Sequence, residues 1–282
     1  MIRISSDSTC DLSGLVKEHN IAIMPLKVVL DADMYQDGVD ITPEDIFAFV
    51  KERDMLPKTS ASTEEEYKEY FANLLKDCDE VIHFNISSKC SVTHSCAVKG
   101  ASYFGGKVRV IDSKALSSGQ GLLVMKAVDL VKEGKSAEEI EKTVLALRDK
   151  VNTSFIPDRL DYLYKGGRCS RMAMYGANLL KIHPMIDMVD GELQAKKKYK
   201  GNMKMCIKAY IEDLHGAYPA YDKTRCFVTH SSADPELVEF AKAKVKEMFE
   251  FNEVVETVAG AVVTGHCGRN TLGVLFIAED AE

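Results

Sequence analysis

Residues 85–96 read Asn-Ile-Ser-Ser-Lys-Cys-Ser-Val-Thr-His-Ser-Cys. Ser87, Ser88, Ser91, Thr93, His94 and Ser95 crowd hydroxyls and an imidazole into one turn, where a small polar loop would suffice. Such groups suit hydrogen bonding to an anion. The preceding residues 80–86 form an apolar run that predicts a buried strand. Ala97, Val98, Ala101 and Phe104 follow at helical spacing. The order is therefore strand, hydroxyl-rich turn, helix. In an open α/β sheet that turn lies at the carboxyl edge of the strands, where ligands bind. Backbone N–H groups at a helix start favour an anionic guest.

Five other stretches carry side chains that invite a chemical reading. Lys58-Thr-Ser60 offers a cation and two hydroxyls, or simply a polar loop before the next helix. Lys165-Gly-Gly-Arg168 pairs glycines that allow close backbone approach with an arginine able to grip a carboxylate or phosphate by two prongs. The alternative is a turn with a solvated arginine. Gly265-His-Cys-Gly268 sets an imidazole between glycines, as base, acid or donor. A lone histidine is more often structural, and the same holds for His94 and His230. Cys267 beside His266 is not evidence for a thiol nucleophile, because adjacent strand residues point to opposite faces. Gly119-Gln-Gly121 is a fragment of a dinucleotide fingerprint without its third glycine. Lys196-Lys-Lys-Tyr-Lys200 is either a docking patch for an acidic partner or a charged strand edge that blocks pairing.

The elements that must position these residues follow from pattern. Residues 2–5 predict a strand, 11–19 a helix, and 21–30 a strand with Pro25 inside it, at an edge or a bend. Residues 31–40 read as a hairpin or loop. Thr42 and Pro43 start a helix as N-cap and first helical residue, and 56–62 is a loop. Ser62–Glu65 and Ser136–Glu139 match capping boxes. Residues 108–111 are a strand and 117–132 a helix. Strands alternating with helices argue for a mainly parallel sheet covered on both faces. Composition changes near Val151. Beyond it come a helix at 172–180, a hairpin turning at Asp190-Gly191, helices at 202–218 and 235–249, and strands at 225–229, 254–263 and 272–277. The expectation is a two-domain α/β protein. An N-terminal Rossmann-like domain spans 1–152, and an α+β domain with a mixed or antiparallel sheet spans 153–282. The site lies at their interface.

The 282 residues carry a formal charge of −7, which argues against nucleic-acid binding. No apolar run is long enough for a membrane span, and the N-terminus reads as a strand, not a signal peptide. The eight cysteines lack CxxC pairs, so free thiols in a reducing cytosol are expected and a zinc site is not. No Walker sequence, HExxH or GxSxG occurs.

Taken in order, Asp7-Ser-Thr-Cys-Asp-Leu12, Met24-Pro-Leu26, Lys58-Thr-Ser60, Ile86-Ser-Ser88, Ser91-Val-Thr93, Val110-Ile-Asp-Ser113, Leu163-Tyr-Lys-Gly-Gly-Arg-Cys-Ser170, Gly265-His266 and Leu272-Gly-Val274 resemble the DegV family of bacterial fatty-acid-binding proteins. The resemblance covers essentially the whole chain. It implies one long-chain fatty acid, its acyl tail in an apolar tunnel and its carboxylate among polar residues at the mouth, with no further cofactor. It further implies a cytosolic carrier that performs no chemistry alone and has no nucleotide site. The carrier offers the carboxylate to an ATP-binding fatty acid kinase partner, whose acyl-phosphate product enters phospholipid synthesis.

By the same resemblance, Thr59, beside Ser60, hydrogen-bonds the carboxylate, and Ser91 with the Val92–Thr93 backbone does likewise. His266 and Arg168 stand near the head group. Three departures from the family pattern are expected to matter. Val92 replaces a glycine and should narrow the turn or change its backbone angle. Gly268-Arg-Asn270 adds a charge near the mouth. Cys90 and His94 replace an apolar and an aromatic residue.

Burying about fourteen methylenes at ~0.8 kcal/mol each contributes roughly 11 kcal/mol gross, much of it offset by association and chain ordering. The head-group residues would then select and orient a carboxylate that is costly to bury alone. Met172, Met174, Met185 and Met188 suit either a variable acyl chain or ordinary packing. Two rival functions stand beside the carrier. One is an acyl-ester hydrolase using His266 with Ser91 or Thr93. The other is a small-molecule sensor.

Overall fold

The computed structural model describes residues 1–169 and 182–280. The expected helix at 172–180, with Met172 and Met174, lies outside them.

The first strand, β1 (Ile2–Asp7), runs through a single 3-10 turn into α1 (Ser13–Glu18) and β2 (Ala22–Met24). Next come β3 (Lys27–Leu30), β4 (Asp33–Gln36), α2 (Pro43–Arg53), β5 (Lys58–Ser60) and α3 (Glu64–Leu74). Then follow β6 (Glu80–Asn85), α4 (Thr93–Ala101), β7 (Val108–Asp112), α5 (Ser117–Lys132) and α6 (Ala137–Leu147). Strands β2-β1-β6-β7 form a parallel sheet. Alternation along β6 serves both faces. Val81 packs with Tyr67, Phe71 and Ala97 of α3 and α4, while Ile82 and Phe84 pack toward α5 and α6.

Four sequence expectations change here. Residues 21–30 are two strands, because at Pro25 the chain leaves the parallel sheet for a small antiparallel one, β4-β3-β5. The stretch around Lys58 is thus strand β5 rather than loop. The capping box of α3 is Thr63 with Glu66, one residue later than expected. Ser62 instead turns its hydroxyl to the Pro25 carbonyl, at 3.4 Å. Helix α1 starts at Ser13, since Asp11 adopts a left-handed backbone with φ 48°. The capping boxes at Thr42 and Ser136 form with both reciprocal bonds.

The second sheet begins with β8 (Val151–Asn152) and β9 (Ser154–Ile156), followed by α7 (Asp161–Lys165), β10 (Ile182–Val189) and β11 (Glu192–Lys200). It continues with α8 (Met203–Ala217), β12 (Arg225–Ser231), α9 (Pro235–Met248), β13 (Glu253–Val258), α10 (Ala261–Cys267) and β14 (Thr271–Ile277). Six strands run β11-β10-β9-β14-β12-β13, and β8 pairs with β14. Among the described residues, only β12 with β13 is parallel in this sheet. The hairpin turns at Asp190-Gly191 as its sequence predicts. The lysine run lies on β11, the edge of this sheet, where charge blocks further pairing.

Strand β13 stops at Val258, and 261–267 is a helix instead of a continuing strand. His266 and Cys267 are therefore helix neighbours, and their expected placement on opposite strand faces does not apply.

Helix α5 joins the two halves. All but Lys126, Asp129, Val131 and Lys132 are buried. Its apolar residues share one core with Ile4, Ile82, Phe84 and Ile111 of the first sheet and Phe227, Leu275 and Ile277 of the second. A helix apolar on nearly every face belongs inside a core. Gly119 and Gly121 serve that packing. A Cβ on Gly119 would lie 2.2 Å from Thr153 Oγ1, and one on Gly121 2.7 Å from the Cys10 carbonyl.

Candidate ligand-binding site

A cavity of about 460 Å³ is lined from both sheets. Leu26, Ile86, Leu116, Phe155, Leu163, Leu193, Val262 and Leu275 supply apolar wall. Thr59, Ser60, Ser91, Val92, Arg168 and His266 line it too, bringing together the motifs at 58–60, 85–96, 165–168 and 265–268.

His266 Nε2 lies 3.0 Å from Thr59 Oγ1. Burial, with the nearby Arg168 guanidinium as the smaller cause, pulls its pKa down to about 4. The ring is thus neutral near pH 7. Its Nδ1 is buried and has no hydrogen-bond partner among the described residues. The space on that side is set by Gly166, where a Cβ would fall 2.7 Å from Nδ1. Gly166 has φ −69°, so close approach is what demands glycine there. Gly167, at φ 69°, has open space and needs glycine for its backbone. The Arg168 guanidinium folds back on the Gly166 carbonyl, with Nη1 donating at 2.8 Å.

The turn after β6 is held from behind. Ser91 Oγ accepts from the Thr93 N–H at 3.3 Å. The Thr93 hydroxyl points inward, shares a 2.8 Å hydrogen bond with Tyr67 Oη, and does not line the cavity. Tyr67 Oη accepts from Asn85 Nδ2 at 3.0 Å, and the same amide donates to Asp7 Oδ2 at 3.1 Å. Asp7 also accepts from the Ile86 N–H at 2.8 Å and from Gln120 at 3.0 Å. Val92 sits in ordinary right-handed helical backbone, φ −76° and ψ −3°, so its side chain brings no strain, and it is 67% exposed. Arg269 stacks on Phe47 of α2, 4.2 Å from the ring centroid, and is not among the cavity residues. His94 is also outside the lining, with its pKa lowered chiefly by burial. His230 reaches the cavity, its Nδ1 accepting from the Ala233 N–H at 3.2 Å. Cys90 lines the cavity as well, its thiol pushed up to about 11 by burial.

Sequence reasoning missed three buried carboxylates behind the site. Asp7, Asp11 and Asp37 all have raised pKa values, with burial the largest cause. Asp7 and Asp11 lie in a hydroxyl-rich turn that resembles the one after β6, and that likeness was the available signal. Asp37 sits in a stretch whose acidity reads as a solvated loop.

A family model for uncharacterised proteins of the DegV family matches residues 1–279. A DegV domain-containing protein from Clostridium acetobutylicum is 33% identical over 278 residues, covering 98% of each chain. One from Caldanaerobacter subterraneus is 32% identical over 277 residues, with the same coverage. Among solved structures, a DegV family protein from Thermus thermophilus described for its fatty acid binding matches with TM-score 0.91 and 28% identity, covering 99% of each chain. A stearic-acid-binding protein from Eubacterium ventriosum matches with TM-score 0.83 and 27% identity, covering 99% of this chain and 98% of that one. Whole-chain agreement in sequence and in fold makes this protein a member of the DegV family.

Proposed function

We propose that the protein binds one long-chain fatty acid, its alkyl tail along the apolar wall and its carboxylate at the polar end of the cavity. The observation that carries this reading is the Thr59–His266 pair, 3.0 Å apart, at the edge of a cavity with leucine, isoleucine, valine and phenylalanine walls. Thr59, Ser60, Ser91 and the 91–93 backbone supply donors for a carboxylate, and Arg168 supplies the opposite charge. A charged hydrogen bond is worth more than a neutral one, so these groups select the head group while the tail provides most of the affinity. The described relatives that bind fatty acids support the same reading.

In this reading the chain divides at 152/153, with the ligand between the two units. The protein is a carrier rather than an enzyme, works in the cytoplasm, and presents the carboxylate to an ATP-binding kinase partner that forms the acyl-phosphate. The hydrolase alternative is disfavoured by an imidazole whose pKa is about 4, a weak base at neutral pH. Thr93 turned toward Tyr67 also disfavours it.

Native mass spectrometry of the purified protein, followed by solvent extraction, tests the proposal. A stoichiometric fatty acid is the expected result. A protein that arrives empty and takes up no added palmitic or oleic acid would overturn it. Turnover of a generic acyl ester, abolished in His266→Ala, would establish the hydrolase instead.

A further inference from the structure

Helix α10 carries His266 but has no capping residue of its own. Its N-cap, Gly260, has no side chain, and the helix is only seven residues long. The first N–H groups of a helix have no partner within it. Here two carboxylates from the distant N-terminal part of the chain take them. Asp11 Oδ1 accepts from the Gly260 N–H at 2.8 Å. Asp37 Oδ1 accepts from the Ala261 N–H at 2.7 Å. Gly260 makes room for both: a Cβ there would fall 2.9 Å from Asp37 Oδ1 and 3.3 Å from Asp11 Oδ1.

Each carboxylate is itself aimed by a serine on its second oxygen. Ser8 donates to Asp37 Oδ2 at 2.8 Å, and Ser117 donates to Asp11 Oδ2. Placing two like charges side by side in a buried site is unfavourable. Capping alone needs only one of them. What the pair adds is direction: two acceptors on successive N–H groups fix both the height and the tilt of a short helix.

We propose that Asp11 and Asp37 are positioning residues for His266, capping α10 together so that the imidazole meets Thr59 at the ligand's head group. The inference rests on the head-group reading of that site, and its first measurement does not depend on a ligand. Other bonds hold the middle and far end of α10: Thr264 Oγ1 lies 2.9 Å from Ser231 Oγ. Thr271 Oγ1 donates to the Cys267 carbonyl at 2.8 Å, and the Gly268 N–H donates to Thr264. Without the carboxylates the start of the helix loses its two fixed points, and the short segment would slide along its axis and tilt as a unit, taking His266 out of register with Thr59 and Gly166.

The test is ring-nitrogen NMR at pH 6 on the full-length, ligand-free protein, with His266 assigned by substitution. An imidazole titrating near 4, as His266 does, is about 1% protonated at pH 6, and an ordinary one about three-quarters. Asp37→Ala is expected to bring the His266 signal substantially toward the protonated form. Asp37→Asn keeps an acceptor oxygen and is expected to stay near the wild type. His83, fully buried on β6 with its pKa lowered to about 3, is the internal control and should stay neutral throughout. An unchanged His266 in Asp37→Ala with His83 still neutral overturns the proposal.

If Asp37→Ala unfolds, both histidines protonate, and Ser8→Ala becomes the deciding variant. It leaves the carboxylate but removes its guide, so His266 must shift while His83 does not. No shift overturns the proposal. Binding of a fluorescent C16 fatty acid is read in parallel, with about tenfold weakening expected in Asp37→Ala and little in Asp37→Asn. A wild type that ignores the probe would defeat the fatty-acid reading and leave the NMR result standing.

Discussion

Thr59 and His266 lie 207 residues apart in the chain and 3.0 Å apart in space. One comes from the edge of a three-stranded sheet, the other from a two-turn helix beside the second sheet. Their meeting creates a donor–acceptor pair facing an apolar cavity, and the binding predictions begin with it.

Thr59→Val keeps the shape of the side chain and removes its hydroxyl. Losing one hydrogen bond to a charged group costs about 1.5–3 kcal/mol. Fatty acid affinity should therefore fall roughly ten- to hundredfold, and the ligand-free protein should lose about 1–3 kcal/mol of stability because His266 Nε2 is left without its partner. His266→Ala should fall at least as far. Competition against a fluorescent fatty acid measures both, and unaltered affinity in either variant would remove that residue from the head-group site.

Gly166 and Gly167 are adjacent, and their substitutions should separate cleanly. Gly166→Ala keeps an ordinary φ of −69° but drives its new methyl into His266. Weakened ligand binding is the expected result. Gly167→Ala meets nothing within 4 Å but must hold φ 69°. It should cost about 1–2 kcal/mol of stability and leave affinity largely intact. Melting curves and binding isotherms on both variants check the division. The reverse pattern would refute it.

Gly119→Ala places a methyl against Thr153 in the helix shared by both sheets. Overpacking of this kind costs typically 1–3 kcal/mol. Both halves of the molecule should lose that stability together, in a single urea transition. Two separated transitions would show that α5 does not couple them.

His83 gives a pH signature. Its pKa is lowered to about 3 by burial, with the neighbouring His94 as a smaller cause. The unfolded chain binds its proton near pH 6.5, while the native state refuses it. Its contribution is complete above about pH 6.5 and is lost as pH falls toward 3, because the unfolded state then holds more protons. Urea-derived stability of the wild type should therefore fall more steeply from pH 7 to pH 5 than that of His83→Gln, by up to one proton in slope. Asp7, Asp11 and Asp37 act in the opposite sense, since a raised carboxylate favours the native state as pH falls. They are common to both proteins and cancel in the difference. Equal slopes would contradict a buried neutral His83.

Local signals proved readable wherever one short stretch carried the whole cause. The Thr42 N-cap of α2, the capping box of α6, the limits of α5 and the turn at Asp190-Gly191 follow from side chains within a few residues of one another. The errors share a different cause. Residues 254–263 look like a continuing strand because they are β-branched and apolar, yet α10 starts at Ala261, where distant carboxylates accept its first N–H groups. Thr63 replaces Ser62 as N-cap because Ser62 bonds across to Pro25. Thr59, Ser91, Arg168 and His266 line the cavity, and the order of their motifs singled them out where residue type alone did not. Asp7, Asp11, Asp37 and Tyr67 could not, because their roles depend on partners far away in sequence.

The capping of α10 also bears on how the molecule comes into being. Asp11 leaves the ribosome 249 positions ahead of Gly260. Contacts of such separation form late, after loop closure has been achieved by other means. The first parallel sheet can assemble well before Gly260 is made, but the helix that bears His266 acquires its anchor only afterwards. In the proposed carrier, a nascent form that ends before Gly260, however well its first sheet has folded, has no anchored imidazole to offer a head group.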